Sequence, residues 1–149
     1  SNYELHKVMP LWIEHLCLHA TEHPQAGTSR FICKDASMRL PTIDAKSALE
    51  HLKVLIELYE TGLSTPLPFM PKSSSRYVAK WAETEDEEKA INEALKAWDN
   101  KQPNRYTGEN EDFFTSLMLR GHEWKPDEDF ADYALRILDP LQSCLEELV

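Results

Sequence analysis

The sequence predicts a mainly α-helical fold with one short β-hairpin, which places the chain in the α+β class. Three observations lead to this prediction. Apolar residues recur at three- and four-residue spacing in about six segments, as on the buried face of a helix. Residues 30–40 instead have the composition of two short strands. A hydrophobic fraction of 42% in 149 residues is enough for an ordinary globular core.

The first helix is predicted over residues 5–20, where apolar side chains recur at helical spacing. Pro10 lies inside this pattern, so the regular helix either begins near Pro10 or bends there. Two strands are expected at residues 30–34 and 37–40, joined by a turn at residues 35–36. This hairpin is the one element of β structure that the sequence indicates.

Asp44 is expected to cap the start of a second helix, because its carboxylate can accept a hydrogen bond from a free backbone N–H. Gly62 is expected to end that helix. The residues predicted for its buried face are Leu49, Leu52, Leu55, Ile56 and Tyr59. Three prolines within residues 64–71 predict a stiff, extended connector, after which Ser73 or Ser74 caps a short third helix.

The remaining helices are predicted from their start signals. Thr84 and Glu87 have the spacing of a capping box at the start of a fourth helix. A brief helix is expected around Phe113. Pro126 is expected to open the last helix, which Pro140 bends or splits in two.

The chain shows no internal repeat and no clear boundary, so a single domain over residues 1–149 is predicted. It starts at Ser1 without an initiating methionine, which we interpret as the sign of a piece cut from a longer subunit. No apolar run approaches the ~20 residues that cross a bilayer, and no signal-peptide pattern is present. We therefore expect a cytoplasmic domain without membrane contact.

Charge is unevenly distributed along the chain. Residues 1–82 carry 9 basic and 8 acidic side chains, a net charge of +1, whereas residues 83–149 carry 7 basic and 18 acidic side chains, a net charge of −11. Nucleic-acid binding requires Lys and Arg to neutralise phosphates. The second half is therefore not expected to bind DNA directly, and only a weak contact through the first half stays open.

His15, His19 and His23 follow one another at four-residue spacing, which zinc sites use on one face of a helix. Pro24 disfavours helix just before it, and no carboxylate at suitable spacing completes a metal site. We therefore interpret the three as solvated surface histidines. The three cysteines are odd in number and widely spaced, which indicates small buried thiols in a reducing compartment.

A nuclease motif is the strongest enzymatic candidate. Many nucleases hold Mg²⁺ with an Asp and a second acidic residue two positions before a Lys, on adjacent strands. Asp35, Asp44 and Lys46 match this pattern superficially. Asp35, however, falls in the turn of the hairpin, and Asp44 falls where a helix begins, so the required strand context is missing.

No other enzyme motif is found. The chain has no GxSxG elbow, no cysteine paired with a histidine in an electropositive setting, and only 4 glycines with which to build a phosphate-binding loop. We predict no catalytic residue, no metal ligand, no cofactor and no small-molecule substrate.

Two features indicate binding to a protein partner. The proline-rich strip at residues 66–71 either staples helices together or presents Leu67, Phe69 and Met70 to a partner, and the first role is favoured because apolar residues are usually core. Further on, Arg120 and Trp124 are of the residue types favoured at interface hot spots. A core role for the phenylalanines nearby is equally plausible.

The ordered set of residues around and after the strip resembles the C-terminal region of the RecC family, the gamma subunits of the bacterial RecBCD complex (exodeoxyribonuclease V). The resemblance covers nearly the whole chain and is strongest from residue 28 onward. The residues that carry it are Leu58, Tyr59, Gly62, Leu63, Pro66–Phe69, Pro71–Ser73, Ala94, Trp98, Gly108, Glu109, Asp112, Leu119–Gly121, Phe130, Ala134, Ile137, Leu138, Pro140 and Leu141, together with the hairpin at residues 30–40 and the Pro41 that follows it.

The resemblance implies a C-terminal fragment of a bacterial, cytoplasmic subunit whose final domain is similar to a restriction-endonuclease-like nuclease fold that has lost its metal site. RecC-like subunits hold two motor subunits, RecB and RecD, and help split the duplex. It follows that this piece is non-catalytic, contacts RecB-like and RecD-like subunits, and meets DNA only through the whole complex. The acidic second half would then face solvent or a basic partner surface.

Two other interpretations stay open. The chain could be a stand-alone acidic regulator, such as a DNA-mimicking inhibitor, which would bind a DNA-binding protein unrelated to helicases. Least favoured is an active Mg²⁺-dependent nuclease, which would lose DNA cleavage on Asp35→Ala or Asp44→Ala.

Overall fold

The structure, a computed structural model, describes residues 4–34, 36–99 and 108–148 and confirms the predicted α+β class. The chain is mainly helical and carries a small antiparallel sheet. In chain order the elements of these residues are α1 (Leu5–Ala20), β1 (Ser29–Ile32), β2 (Ser37–Leu40), α2 (Ala45–Ser64), α3 (Pro71–Thr84), α4 (Glu87–Trp98), a 3-10 turn (Glu109–Glu111), α5 (Phe113–Leu119), α6 (Glu128–Cys144) and β3 (Glu146–Leu148).

The chain divides into two compact units. The first consists of residues 1–65 and 139–149, and the second of residues 66–138. One boundary falls directly after α2, at the start of the proline-rich strip, and the other falls within α6. No sequence signal marks this division, because α6 continues through the second boundary without a break.

In the first unit, α1 packs against α2 and β1. Pro10 lies inside α1, and the helix begins at Leu5 rather than at the proline. The buried apolar side chains of this unit are Leu5, Val8, Trp12, Leu16, Met38, Leu40, Ala48, Leu58 and Leu141. They come from α1, β2, α2 and the end of α6, so these elements share one core.

The sheet has the order β1-β2-β3, with both pairs antiparallel. The first strand spans Ser29–Ile32 rather than residues 30–34, and the turn position Asp35 lies outside the described residues. The third strand was not predicted. In it Glu146 stands opposite Arg39 of β2, and its carboxylate accepts hydrogen bonds from the Arg39 guanidinium, at 2.8 Å from Nε. A segment near the end of the chain therefore covers the second edge of the hairpin.

The second unit is built around α3 and α4, which pack along each other. Aromatic rings run through its core in edge-to-face contacts from Trp98 to Trp124, Phe130 and Tyr77, with centroids 4.6, 5.6 and 5.8 Å apart along this series. Each such pair adds to the stabilisation from burial. The buried apolar side chains of this unit are Met70, Tyr77, Val78, Ala90, Ala94, Trp98, Phe130, Ala131, Ala134, Ile137 and Leu138.

Several predicted helix ends are wrong by a few residues. Helix α2 continues past Gly62 and ends at Ser64. Helix α3 begins at Pro71, before the two serines proposed as its cap, and a proline at the first helical position needs no backbone donor. Helix α4 is capped by Asp86, whose carboxylate accepts the Lys89 N–H at 3.1 Å, in place of the proposed Thr84.

Helix α6 begins at Glu128, two residues after the predicted Pro126. Asp127 explains this start, because its carboxylate accepts the backbone N–H of Phe130 at 2.9 Å. Pro140 does not split the helix, which continues to Cys144. Among the helices of the described residues, none is long and apolar enough to cross a membrane.

Candidate partner-binding surface

Helix α5 exposes two adjacent aromatic side chains. Phe113 is 71% exposed and Phe114 is 76% exposed, and their rings meet edge to face with centroids 5.5 Å apart. Leu117, one turn further along, is also mostly exposed. Single exposed apolar residues need no explanation, but three on adjacent turns form a patch of the kind that marks a binding surface. The sequence left open whether these phenylalanines belong to the core, and the structure places both at the surface.

The ends of α5 are fixed by specific local interactions. The carboxylate of Asp112 accepts the Thr115 N–H at 3.0 Å and the Thr115 hydroxyl at 3.3 Å, which is an N-cap. At the other end Arg120 adopts the left-handed conformation with φ 49°, and Gly121 follows with φ 82°. An added Cβ at Gly121 would touch nothing within 4 Å, so the backbone conformation and not lack of space favours glycine there.

A pocket of about 540 Å³ lies next to α5 within the second unit. This volume falls in the range of sites that take a small ligand or an inserted side chain. Two indoles, Trp98 and Trp124, line it together with Leu119, His122 and Lys125, among others.

One of the residues that line the pocket has an unsatisfied acceptor. Asn110 lines it, and the Asn110 side-chain oxygen is buried without a hydrogen-bond partner among the described residues. A buried polar atom without a partner costs free energy, which a donor from a bound group would recover. The pocket thus combines two aromatic rings with several polar and charged side chains, among them Asn110, Glu123 and Lys125.

Glu109 positions the chain that leads into α5. It is a carboxylate with 4% exposure, and it accepts the backbone N–H groups of Lys72 and Ser73 at 2.9 and 2.7 Å and the Ser73 hydroxyl at 2.7 Å. Glu109 therefore caps the N-terminus of α3 from a distant part of the sequence, where a negative charge is favourable. No local sequence signal indicates this role, because Glu109 lies 36 positions after Ser73, one of the residues whose N–H it accepts.

The five partner-contact residues predicted from the sequence lie in the second unit. Trp124 is half-buried and lines the pocket, and Arg120 is exposed directly after the end of α5. In the proline-rich strip Met70 is buried in the core, whereas Leu67 and Phe69 are half-buried. The burial of Met70 fits the predicted role of the strip in holding helices together. Leu67 and Phe69 keep part of their surface exposed.

The interpretation of the first two histidines as solvated is wrong. His15 is 1% exposed and His19 is 7% exposed, whereas His23 is exposed as expected. His15 bridges Ser29 and Pro41, with its Nε2 2.9 Å from the Pro41 carbonyl and its Nδ1 2.8 Å from the Ser29 hydroxyl. Because a carbonyl only accepts, Nε2 carries the proton and the Ser29 hydroxyl donates to Nδ1.

This bonding pattern satisfies a neutral His15. Burial, together with the neighbouring His19, lowers the pKa of His15 below its ordinary value of 6.5, against an opposing effect of the Pro41 carbonyl. The His19 Nδ1 donates to the His15 carbonyl at 2.9 Å, which leaves the buried Nε2 of His19 without a partner among the described residues. The two rings lie 4.2 Å apart, next to Trp12.

The residues of the nuclease-like pattern have other roles or cannot be placed. Asp44 caps α2: its two carboxylate oxygens accept the Ser47 N–H at 2.9 Å and the Ser47 hydroxyl at 2.6 Å, and these bonds lower its pKa. Lys46 is exposed on the first turn of α2, and Asp35 lies outside the described residues. Within residues 4–34, 36–99 and 108–148, no group of three or more His, Cys, Asp or Glu side chains is arranged to hold a metal ion.

The cysteines are free and are less buried than predicted. Cys17 is exposed on α1, while Cys33 and Cys144 are half-buried. The Cys33 thiol donates to the Ala36 carbonyl at 3.2 Å, and burial raises the pKa of the Cys144 thiol. A raised pKa keeps Cys144 in the unreactive thiol form.

The fold and this surface define a class: a mainly helical α+β domain that exposes an aromatic helix face beside a Trp-lined pocket. The family model described as the RecC C-terminal domain matches residues 1–85. Since that match covers more than half of the chain, the chain belongs to the RecC C-terminal domain family. The match includes the first helix, where the resemblance in sequence was weaker.

A named relative extends the similarity beyond residue 85. The RecBCD enzyme subunit RecC of Escherichia coli (strain K12) is 30% identical over 143 residues, which cover 89% of this chain. The chain spans 12% of the length of that relative. The region that it covers includes most of the second unit, so α5 and its surroundings belong to the shared segment.

Proposed function

We propose that this chain is a non-catalytic docking domain of a RecC-like subunit, and that it contacts RecB-like and RecD-like subunits of a RecBCD-type enzyme. The proposed setting is the bacterial cytoplasm, where the assembled ATP-dependent helicase and exonuclease would act in double-strand-break repair and recombination. The domain itself would need no cofactor and no small-molecule substrate, and it would meet DNA only through the whole complex.

The exposed face of α5 carries this proposal. Phe113, Phe114 and Leu117 present apolar surface next to a pocket with two indoles. Interface cores are enriched in aromatic residues and depleted of charge, and their strongest contacts fill such pockets. A partner aromatic side chain, such as Trp or Tyr, would pack against these two indoles.

The non-catalytic part of the proposal is supported by the use of Asp44 as a helix cap. Both of its carboxylate oxygens accept hydrogen bonds from Ser47, so the helix cap accounts for an aspartate at this position without a metal ion. This favours a degenerate form of a nuclease-like domain. It disfavours the active Mg²⁺-dependent nuclease.

The test is assembly of the complex from its subunits. The full RecC-like subunit carrying Phe113→Glu and Phe114→Glu would be co-purified with RecB-like and RecD-like partners, next to a subunit carrying Ile32→Glu. Ile32 is a matched control, because it is 75% exposed and lies on β1 in the other compact unit. We expect the double variant to lose a partner subunit while the control assembles normally, as expected for an interface hot spot.

Three other outcomes would contradict the proposed docking function. If both variants assemble and unwind DNA like the wild type, α5 is not a docking surface. If the chain alone cuts DNA in the presence of Mg²⁺ and Asp44→Ala abolishes the cleavage, the domain is an active nuclease. If the chain instead binds a DNA-binding protein unrelated to helicases, the stand-alone acidic regulator is the correct interpretation.

A further inference from the structure

Glu123 is an exposed carboxylate that lines the pocket beside α5. Within residues 4–34, 36–99 and 108–148 it forms no ion pair, and Lys125, which lines the same pocket, forms none either. Asp86 and Glu93 differ in this respect, since each pairs with a lysine three residues further along. The Glu123 carboxylate is therefore open to a cation from a partner.

A second residue of the pocket lining lacks a donor. The side-chain oxygen of Asn110 is buried and has no hydrogen-bond partner in the part of the chain that the structure describes. Amide and carboxylate oxygens only accept hydrogen bonds. Asn110 and Glu123 therefore both favour a bound group that carries several donors.

The charge of the surrounding chain favours a cationic group as well. All residues that line the pocket belong to the segment 83–149, which carries a net charge of −11. An acidic surface raises the local concentration of basic segments and disfavours acidic ones. The single positive charge of Lys125 does not reverse this excess.

Among cationic side chains, arginine fits the pocket best. Its guanidinium presents five N–H donors in one plane and can form two parallel hydrogen bonds with a carboxylate. The same plane stacks on aromatic rings, and the indoles of Trp98 and Trp124 both line the pocket. The ammonium of lysine is compact and strongly hydrated and has no such plane.

We propose that the partner segment that docks beside α5 is basic and aromatic, with an arginine next to the aromatic residue that packs against the two indoles. The arginine pairs with the Glu123 carboxylate. This inference rests on the proposed docking function and adds the chemistry of the segment, which belongs to a partner subunit. Complementary charge of this kind acts chiefly on the choice of partner and on the association rate.

The first test measures the binding of three labelled synthetic peptides of equal length to the full RecC-like subunit by fluorescence anisotropy. One peptide has a Trp with two Arg on each side, the second has Glu in place of Arg, and the third has Ala in place of Trp. We expect the Arg–Trp peptide to bind about tenfold or more tightly than the other two.

Three results of the peptide experiment overturn the proposal. The first is a Glu–Trp peptide that binds as tightly as the Arg–Trp peptide, and the second is an Arg–Ala peptide that does so. The third is a full subunit that binds none of them, as expected if the remaining length of the subunit covers this surface.

The second test repeats the measurement with single substitutions in the pocket. We expect Glu123→Gln to weaken binding of the Arg–Trp peptide by about threefold or more and to reduce its dependence on salt, because an ion pair is lost. Lys125→Gln removes an opposing charge and should not weaken binding. A Glu123→Gln variant that binds like the wild type, or a Lys125→Gln variant that binds more weakly, overturns the proposal.

Glu50→Gln on α2 is the matched control for the loss of one negative charge. Glu50 is exposed, and it lies beside exposed apolar residues as Glu123 does. Leu49, Ile56 and Tyr59 of α2 were predicted to be buried, and that prediction is wrong because α1 packs against another side of the helix. We expect Glu50→Gln to leave peptide binding unchanged. An equal effect of Glu50→Gln and Glu123→Gln overturns the pairing of arginine with Glu123.

The outcomes separate this inference from the docking function on which it rests. If Phe113→Glu with Phe114→Glu loses a partner subunit while Glu123→Gln binds partner and peptide like the wild type, the docking surface stands and the basic character of its partner is overturned. If the double phenylalanine variant assembles normally, both proposals are overturned.

Discussion

At the scale of single residues, Glu109 accepts three hydrogen bonds that hold the start of α3. One buried carboxylate satisfies two backbone donors and one hydroxyl at the start of α3. Hydrogen bonds to a charged group are stronger than neutral ones, and their loss leaves buried donors without partners. This explains how residues in two segments that carry the resemblance to the RecC family, Pro71–Ser73 and Gly108–Glu109, depend on each other.

We predict that Glu109→Ala lowers the free energy of unfolding by about 2–4 kcal/mol, because three hydrogen bonds to a buried carboxylate are lost. Urea denaturation monitored by circular dichroism measures this change. Glu111→Ala is the control: it removes an exposed glutamate from the same 3-10 turn and should alter the stability by less than about 0.5 kcal/mol. Equal effects of the two substitutions would contradict the assigned cap.

His15 should make the stability of the chain depend on pH. Its pKa in the folded state is lowered, chiefly by burial, so the unfolded chain binds a proton more readily than the folded chain. The stability that His15 contributes is therefore fully present above the unfolded pKa of about 6.5 and is lost as the pH falls below that value toward the folded pKa.

We expect His15→Gln to reduce the decrease in unfolding free energy between neutral and mildly acidic pH. Urea denaturation over this pH range gives the slope directly. His23→Gln replaces an exposed histidine and should leave the slope unchanged. A wild type whose stability rises on acidification would show that the sign assigned to His15 is wrong.

At the scale of the elements, α5 combines a capped start with a strained end. Arg120 occupies the left-handed conformation, which costs free energy for any residue with a Cβ and costs glycine none. Residues other than glycine in this conformation are uncommon and often mark functional positions, and the Arg120 side chain is exposed directly after the end of α5. A substitution of Arg120 by glycine can therefore test the binding role of its side chain without a large loss of stability.

Arg120→Gly is expected to change the unfolding free energy by less than about 1 kcal/mol, since relief of the left-handed strain offsets the greater flexibility of glycine in the unfolded chain. The same substitution should weaken association of the full subunit with its partners, measured by surface plasmon resonance. Leu119→Gly, inside the helix next to Arg120, should instead destabilise the chain. If Arg120→Gly binds with wild-type affinity, Arg120 is not part of the docking surface.

The third strand of the sheet is positioned by its pairing with β2 and not by its own composition. The hairpin of β1 and β2 has the local composition of strands, but β3 is the acidic stretch Glu146–Leu148, which has little strand character. Its place is set by pairing with β2 and by the exposed ion pair of Arg39 with Glu146. Exposed ion pairs contribute little to stability, so the backbone pairing supplies most of the gain.

At the scale of the whole molecule, the acidic second half is only partly available for a partner. Asp86 caps α4 and forms an ion pair with Lys89 at 2.9 Å, and Glu85 adopts the left-handed conformation that ends α3. Replacing these two residues would damage helix ends in addition to changing charge. Glu87 and Glu88, in the first turn of α4, are exposed and remain suitable for a test of charge.

We predict that Glu87→Lys with Glu88→Lys slows association with a basic partner subunit and flattens its salt dependence, because complementary charge acts mainly on the association rate. Stopped-flow measurement at several ionic strengths tests this. Glu128→Lys with Asp129→Lys is the control, since it makes the same change of net charge in the first turn of α6. If neither pair alters the rate, the acidic residues serve solubility alone.

The elements that depend on local interactions could be predicted from the sequence. The spacing of apolar residues predicted α1, the β preference of residues 30–40 predicted the hairpin, and the carboxylate of Asp44 predicted the start of α2. Of the partner-contact residues predicted from residue type, Trp124 lines the pocket, and a partner contact of Arg120 and Trp124 stays a prediction. In each case the relevant partner lies within a few positions along the chain.

Which of the apolar and polar residues are buried depends on the packing of the elements and became known from the structure. The pattern of α2 could not show that one side packs on α1 while Ile56 and Tyr59 remain exposed, since both sides are apolar. Nor could it show that His15 is buried between Ser29 and Pro41, or that Glu109 caps α3. Such contacts join residues far apart in sequence, and their burial depends on how the elements pack, which no local pattern of residues encodes.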